Sequence, residues 1–191
     1  VILGIDPGLA TFGWARVSRT SGQVLDLGLL EQPAKGKRKD YEARTDRQAQ
    51  VVVEQLAGVN LVVSEALSFP RAGRSGAVSQ SLSWGVLCGV CRARHIQLKR
   101  VRPQQWQHAV QGDAAPTVDY EALLARLEEH VMRFGAPAAV AALRRITPSK
   151  RTHVLDAVGV GTYGVVRPAH PLLGALQPTR TTRTKTRRSD A

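Results

Sequence analysis

The sequence predicts an α/β fold: a five-stranded mixed sheet, three antiparallel strands followed by parallel ones, flanked by helices. Three observations carry this. Apolar, turn-bounded runs fill the opening stretch to Leu30. Two further apolar runs then alternate with segments of helical length. Beyond Thr117 the apolar residues recur at helical spacing until the composition turns polar and basic.

Each element has a local reason. Val1 to Ile5 is a continuous apolar run ending in Asp6-Pro7-Gly8, the pattern of a central strand buried on both faces. Thr11 to Val17 and Gln23 to Leu30 form a hairpin across Ser21-Gly22, and Pro33 to Lys39 is a basic loop. From Asp40 to Ala57, Tyr41, Thr45, Ala49, Val52 and Leu56 fall near one face of a helix that Gly58 stops. Leu61 to Glu65 is a short strand ending in an acid. Ser75 to His95 is a helix and Ile96 to Val101 a strand. Thr117 is a cap for a helix carrying Leu123, Leu124, Leu127, Val131 and Phe134, closed by Gly135. Pro137 to Ile146 makes a short helix. Thr147-Pro148 then starts another, running to about Gly164. From Gln177 onward the residues are polar and mostly basic, and disorder is expected there. No internal repeat is visible.

Composition narrows the partner. A chain of 191 residues, 43% hydrophobic, has length and apolar content for one domain with a real core. Lys and Arg number 27 against 15 Asp and Glu, a formal charge of +12, which argues for a polyanion and most simply nucleic acid. No apolar run approaches the ~20 residues of a membrane span, so no membrane partner is expected. No basic segment precedes the first strand, so no secretory signal is expected. Two cysteines suggest a reducing compartment.

With so few acids, their placement is informative. Asp6 and Glu65 end apolar strands, where an unpaired buried carboxylate is costly. If those strands are neighbours their C-terminal ends converge, where open α/β sheets place their sites. His153 and Asp156 stand three residues apart on one face of the last helix. The four form a candidate cluster whose oxygen donors suit Mg²⁺ held against phosphate. Two such ions about 3.5–4 Å apart can activate water and stabilise a leaving 3′ oxygen. The plainer alternative gives Asp6 a turn and Glu65 a helix cap.

Gly4-Ile5-Asp6-Pro7-Gly8, Leu61-Val62-Val63-Ser64-Glu65, Arg102-Pro103 with Trp106 and Ala109-Val110-Gln111-Gly112, and His153-Val154-Leu155-Asp156-Ala157-Val158-Gly159 occur in that order. Together they resemble the RuvC family of Holliday-junction resolvases over about residues 1–165. The resemblance implies an RNase H-like fold, a homodimer and paired metal-dependent nicks across four-way junction DNA, leaving 5′-phosphate and 3′-hydroxyl ends. It makes Asp6, Glu65 and Asp156 catalytic metal ligands for two Mg²⁺ ions, with His153 where the family often has Asp. Imidazole also suits Mn²⁺. It implies a role in recombination and repair, in cytoplasm, host cytoplasm or an organelle, with a branch-migration helicase as a candidate partner. Residues 166–191 would be a basic extension to a 1–165 nuclease domain. Two departures point to a divergent, phage-type member. Gln105 or Gln107 and Tyr120 stand where the family tends to place lysines, and the helical segment at about 117–146 is long.

Further residues extend this reading. Family members often carry an aromatic soon after the second acid, so Phe69 would enter the junction centre and stack on a base, with Arg71 and Arg74 on adjacent phosphates; ordinary packing of Phe69 is the alternative. Lys35, Lys37, Arg38 and Lys39, together with Lys150 and Arg151, are candidate DNA contacts. Gly85 and Gly89, with Leu82 beside them, form a small-residue ridge that the resemblance places at the dimer contact; packing on the protein's own sheet is the alternative. Cys88 and Cys91 lack the second pair a structural zinc site needs and read as helix thiols. Competing functions are an RNase H or branched and flap DNA nuclease, an actin-like phosphotransferase, for which the chain has only one lobe, and a non-catalytic junction-binding protein.

Overall fold

In the computed structural model, residues 1–32, 40–66, 74–112 and 117–165 are described. The strands are β1 (Ile2–Asp6), β2 (Thr11–Val17), β3 (Val24–Glu31), β4 (Leu61–Glu65) and β5 (Gln97–Val101). They form one sheet in the order β3-β2-β1-β4-β5. β1 pairs antiparallel with β2, which pairs antiparallel with β3, whereas the β1–β4 and β4–β5 pairs are parallel. The expected mixed sheet is therefore present. Its first strand is central, consistent with Ile2, Leu3 and Ile5 being wholly buried.

The helices are α1 (Tyr41–Gln55), α2 (Arg74–Ala93), α3 (Pro103–Gln111), α4 (Tyr120–Phe134), α5 (Pro137–Arg145) and α6 (Arg151–Tyr163). They divide the hydrophobic interior between the two sheet faces. Leu3, Ile5, Phe12 and Val62 pack with Val52 of α1 and with Leu87 and Cys91 of α2. Ile2, Ala15, Val17 and Val63 pack with Val154, Leu155, Ala157 and Val158 of α6, and α3, α4 and α5 join that cluster through Trp106, Leu127 and Leu143. Alternation along each strand explains the division: odd positions of β1 face α1 and α2, even positions face α6.

α6 lies unusually close to the sheet. A Cβ on Gly4 would stand 2.1 Å from the Ala157 carbonyl oxygen, and one on Gly13 would stand 2.1 Å from that of His153. Both obstacles are backbone, so only glycine permits this approach.

Three local details depart from expectation. α3 was not anticipated as an element; Pro103 opens it, and its nine residues are too few for a persuasive apolar period. α4 is capped by Asp119, whose side chain accepts the Ala122 N–H, and not by Thr117. Pro148–Lys150 is a short 3-10 turn with no side-chain cap from Thr147, and α6 begins after it.

Candidate active site

The register of β1 against β4 brings the two strand-end acids side by side. Ile5 is aligned with Ser64, so the next position along pairs Asp6 with Glu65. Asp6 shares the face of Ile2 and Gly4, and Glu65 that of Leu61 and Val63, so both are on the α6 side of the sheet. Across the antiparallel pair, Asp6 is aligned with Gly13. Because Gly13 lets the His153 backbone press onto β2, the His153 ring reaches Asp6, donating from Nδ1 to Oδ2 at 2.6 Å. The Asp6 side chain is 17% exposed and that of His153 43%. Asp156, one turn further along α6, lies close enough to feel the charges of Asp6, Glu65 and His153. The structure thus gathers all four sequence-predicted residues.

Two further side chains complete the arrangement. The Trp106 indole of α3 donates to Glu65 Oε2 at 2.7 Å, and the Tyr120 hydroxyl at the start of α4 is 2.7 Å from both Asp156 oxygens. The sequence marks Trp106 only as part of the Arg102–Gly112 segment that carries the resemblance, and Tyr120 only as standing where the family tends to place lysine. Their roles depend on contacts across 41 and 36 residues of chain, which no local pattern reveals.

The electrostatics are those of negative charge short of a counterion. Burial, then repulsion from Asp6, pushes the Glu65 carboxyl up to about 7, against the lowering effect of Trp106. Burial, then Asp6, likewise lifts Asp156 to about 7, although Tyr120 and His153 pull it down. His153 is raised chiefly by its hydrogen bond to Asp6, with burial opposing. Burial and the Asp156 charge push the Tyr120 phenol upward, so it stays protonated and remains a donor. Three carboxylates and an imidazole fit Mg²⁺ or Mn²⁺ in donor type, and the raised carboxyls fit the positive charge such an ion brings. Among the described residues, no three His, Cys, Asp or Glu side chains stand in an arrangement that could hold a metal ion as they are placed. Protein donors hold the carboxylates instead.

The other predicted residues fare differently. Lys150 pairs with Glu31 at 2.5 Å, and Arg151 is bound to Glu128 and to the Ile146 carbonyl. Their charge is thus shared with acids and backbone next to the site. Gln105, one of the positions where a lysine was expected, accepts the Arg102 N–H at the start of α3. Gly85 and Gly89 are exposed, and among the described residues a Cβ on either would meet nothing within 4 Å, so they do not pack on the protein's own sheet. Leu82 on the same helix is half-buried. Cys91 is buried, Cys88 partly so, and both are free thiols. Arg74 opens α2. Lys35, Lys37, Arg38, Lys39, Phe69 and Arg71 lie outside the described residues.

No family model matches the chain. Solved structures do. Thermus thermophilus RuvC in complex with Holliday-junction substrate is 16% identical, with a TM-score of 0.61 over 85% of this chain and 90% of that one. This is the RNase H-like fold, as in RuvC. The fowlpox virus Holliday-junction resolvase is 12% identical, with a TM-score of 0.54 over 86% of this chain and 97% of its own. The yeast mitochondrial Holliday-junction resolvase, also 12% identical, has a TM-score of 0.55 over 91% of this chain and 80% of its own. The RuvC-like architecture accounts for the position of the acids: β1 and β4 are neighbours, and their C-terminal ends open beneath α6. Among the described residues, no helix is long and apolar enough to cross a membrane.

Proposed function

We propose that this chain is a metal-dependent endonuclease that resolves four-way DNA junctions by paired nicks. The observation that carries the reading is the convergence of Asp6, Glu65, Asp156 and His153 at one end of a RuvC-like sheet. Asp6, Glu65 and Asp156 would hold Mg²⁺ or Mn²⁺ through oxygen and His153 through nitrogen. Bound there, the ions would supply the charge that activates the attacking water and stabilises the leaving 3′ oxygen. The chain's own part is to bring four donors from β1, β4 and α6 together and to surround them with a positive body that attracts DNA. Residues 1–165 would form the nuclease domain and 166–191 a basic extension. The exposed Gly85–Gly89 ridge, with Leu82, would pair two copies, giving two equivalent sites for symmetric cutting. Phe69, Arg71 and Arg74, the basic 35–39 segment and Lys150 and Arg151 would contact the junction.

The test is cleavage of a synthetic four-way junction with Mg²⁺ or Mn²⁺, comparing the native chain with Asp6→Asn. Paired nicks with 5′-phosphate and 3′-hydroxyl ends are expected from the first, and bound but uncut junction from the second. An RNA–DNA hybrid and a flap in the same panel separate the competing nuclease readings. Preferential cutting of either would displace the junction.

A further inference from the structure

Resting on that nuclease reading, we infer that Tyr120 is a positioning residue that orients the Asp156 carboxylate for metal binding. Its hydroxyl stands 2.7 Å from each Asp156 oxygen, a symmetric placement that limits rotation of the carboxylate about its last bond. The hydroxyl is itself held in place. Tyr120 is the first residue of α4, directly after the capping Asp119, and α4 is anchored by the wholly buried Leu127 and Val131 and the nearly buried Leu123. Asp156 is equally constrained, because α6 is seated on Gly4 and Gly13 by backbone contact. Two helices that share one hydrophobic cluster thus bring this hydroxyl to this carboxylate.

The chemistry of the donor matters. A phenol orients a carboxylate without adding a positive charge that would oppose an incoming divalent ion, as an ammonium in its place would. The fixed carboxylate loses less freedom on binding metal, so its orientation contributes to affinity. On this account the helical segment from α4 onward does more than enlarge the core: it delivers the group that prepares one ligand.

Tyr120→Phe removes one oxygen and leaves the ring, so the helix contact is retained. Mn²⁺ binding to the full-length chain, read by calorimetry and by electron paramagnetic resonance of the free ion, is expected to weaken about 10–100-fold, the usual effect of losing a hydrogen-bond partner behind a metal ligand. The far-UV spectrum and binding to a four-way junction in EDTA should be unchanged, and cutting should return as Mn²⁺ is raised. Asp156→Asn serves as the control that should abolish the same binding event. A Tyr120→Phe protein that melts lower yet binds Mn²⁺ as tightly as the native chain would reduce the contact to simple packing and overturn the inference. If the native chain binds Mn²⁺ through Asp156 and Tyr120→Phe weakens it, but no junction is cut, the positioning role stands and the resolvase reading fails.

Discussion

A half-exposed imidazole 2.6 Å from a mostly buried carboxylate sets the chemistry at the residue scale. His153 donates to Asp6, Trp106 to Glu65 and Tyr120 to Asp156, so each acid has one donor from a different part of the chain. Replacing His153 by Asp removes a donor and adds a fourth carboxylate beside Asp6. The expected result is a protein less stable without metal, still able to cut junctions, and shifted from Mn²⁺ towards Mg²⁺ because an all-oxygen donor set favours the harder ion. Initial rates in the two metals and melting in EDTA measure this. A variant that folds and binds junctions but cuts with neither metal would contradict it. The acids were legible in the sequence because a carboxylate ending an apolar strand is costly without a reason. Trp106 and Tyr120 were not, because a lone tryptophan among glutamines or a tyrosine opening a helix has ordinary explanations until tertiary contact supplies the carboxylate.

At the scale of elements, the seating of α6 governs the site. Gly4 and Gly13 occur in strands, where glycine by itself suggests a bulge or a turn; their purpose appears only when the helix is in place. Alanine at Gly13 would force the His153 backbone off β2 and separate His153 from Asp6. Overpacking of this sort costs on the order of 1–3 kcal/mol. Gly13→Ala should therefore lower the melting temperature and impair metal-dependent cutting more than junction binding. Equal losses in both would mean general unfolding instead. Gly85 provides the contrast. Among the described residues a methyl there meets nothing within 4 Å, and alanine in an exposed helix is favoured over glycine by about 1 kcal/mol. Gly85→Ala should leave an isolated chain no less stable, but Gly85→Leu should drive dimer to monomer in sedimentation velocity if α2 forms the close contact proposed. An unchanged dimer would move the interface elsewhere. The mixed sheet could be anticipated because hydrophobic alternation and turn chemistry agree along the first half of the chain, whereas the adjacency of β1 and β4 came only with the fold. α3 could not, since nine residues opened by proline show little period.

At the scale of the whole molecule, charge connects binding, stability and pH. Removing the tail from Gln177 takes away five bases and one acid, leaving +8 of the +12 on the rest of the chain. A chain ending at Leu176 should therefore bind junctions with a shallower dependence on salt, each lost phosphate contact reducing the slope by about 0.9 for duplex DNA. Cutting at low salt should survive, and its loss would show that the tail also serves the reaction. The opposite charge, concentrated at the site, controls pH dependence. Glu65 and Asp156 are both raised to about 7 by burial and by Asp6, so between the ordinary carboxylate range and pH 7 the folded protein holds protons that the unfolded chain has released. That linkage stabilises the metal-free fold fully below the ordinary carboxylate range, and the benefit is lost as pH rises through about 7. His153, also raised, acts in the same direction, since its protonated form is favoured by the Asp6 contact and lost on deprotonation. In EDTA, melting should therefore fall from pH 5.5 to pH 8 more steeply for the native chain than for the Glu65→Gln, Asp156→Asn double variant, whose site no longer exchanges those protons. Mg²⁺ should stabilise the native chain more at the higher pH, where it competes with fewer protons for the carboxylates, and its binding near pH 6.5 should release protons into a weak buffer. Native and double-variant proteins with parallel pH profiles would show that these carboxyls do not carry the repulsion their burial implies.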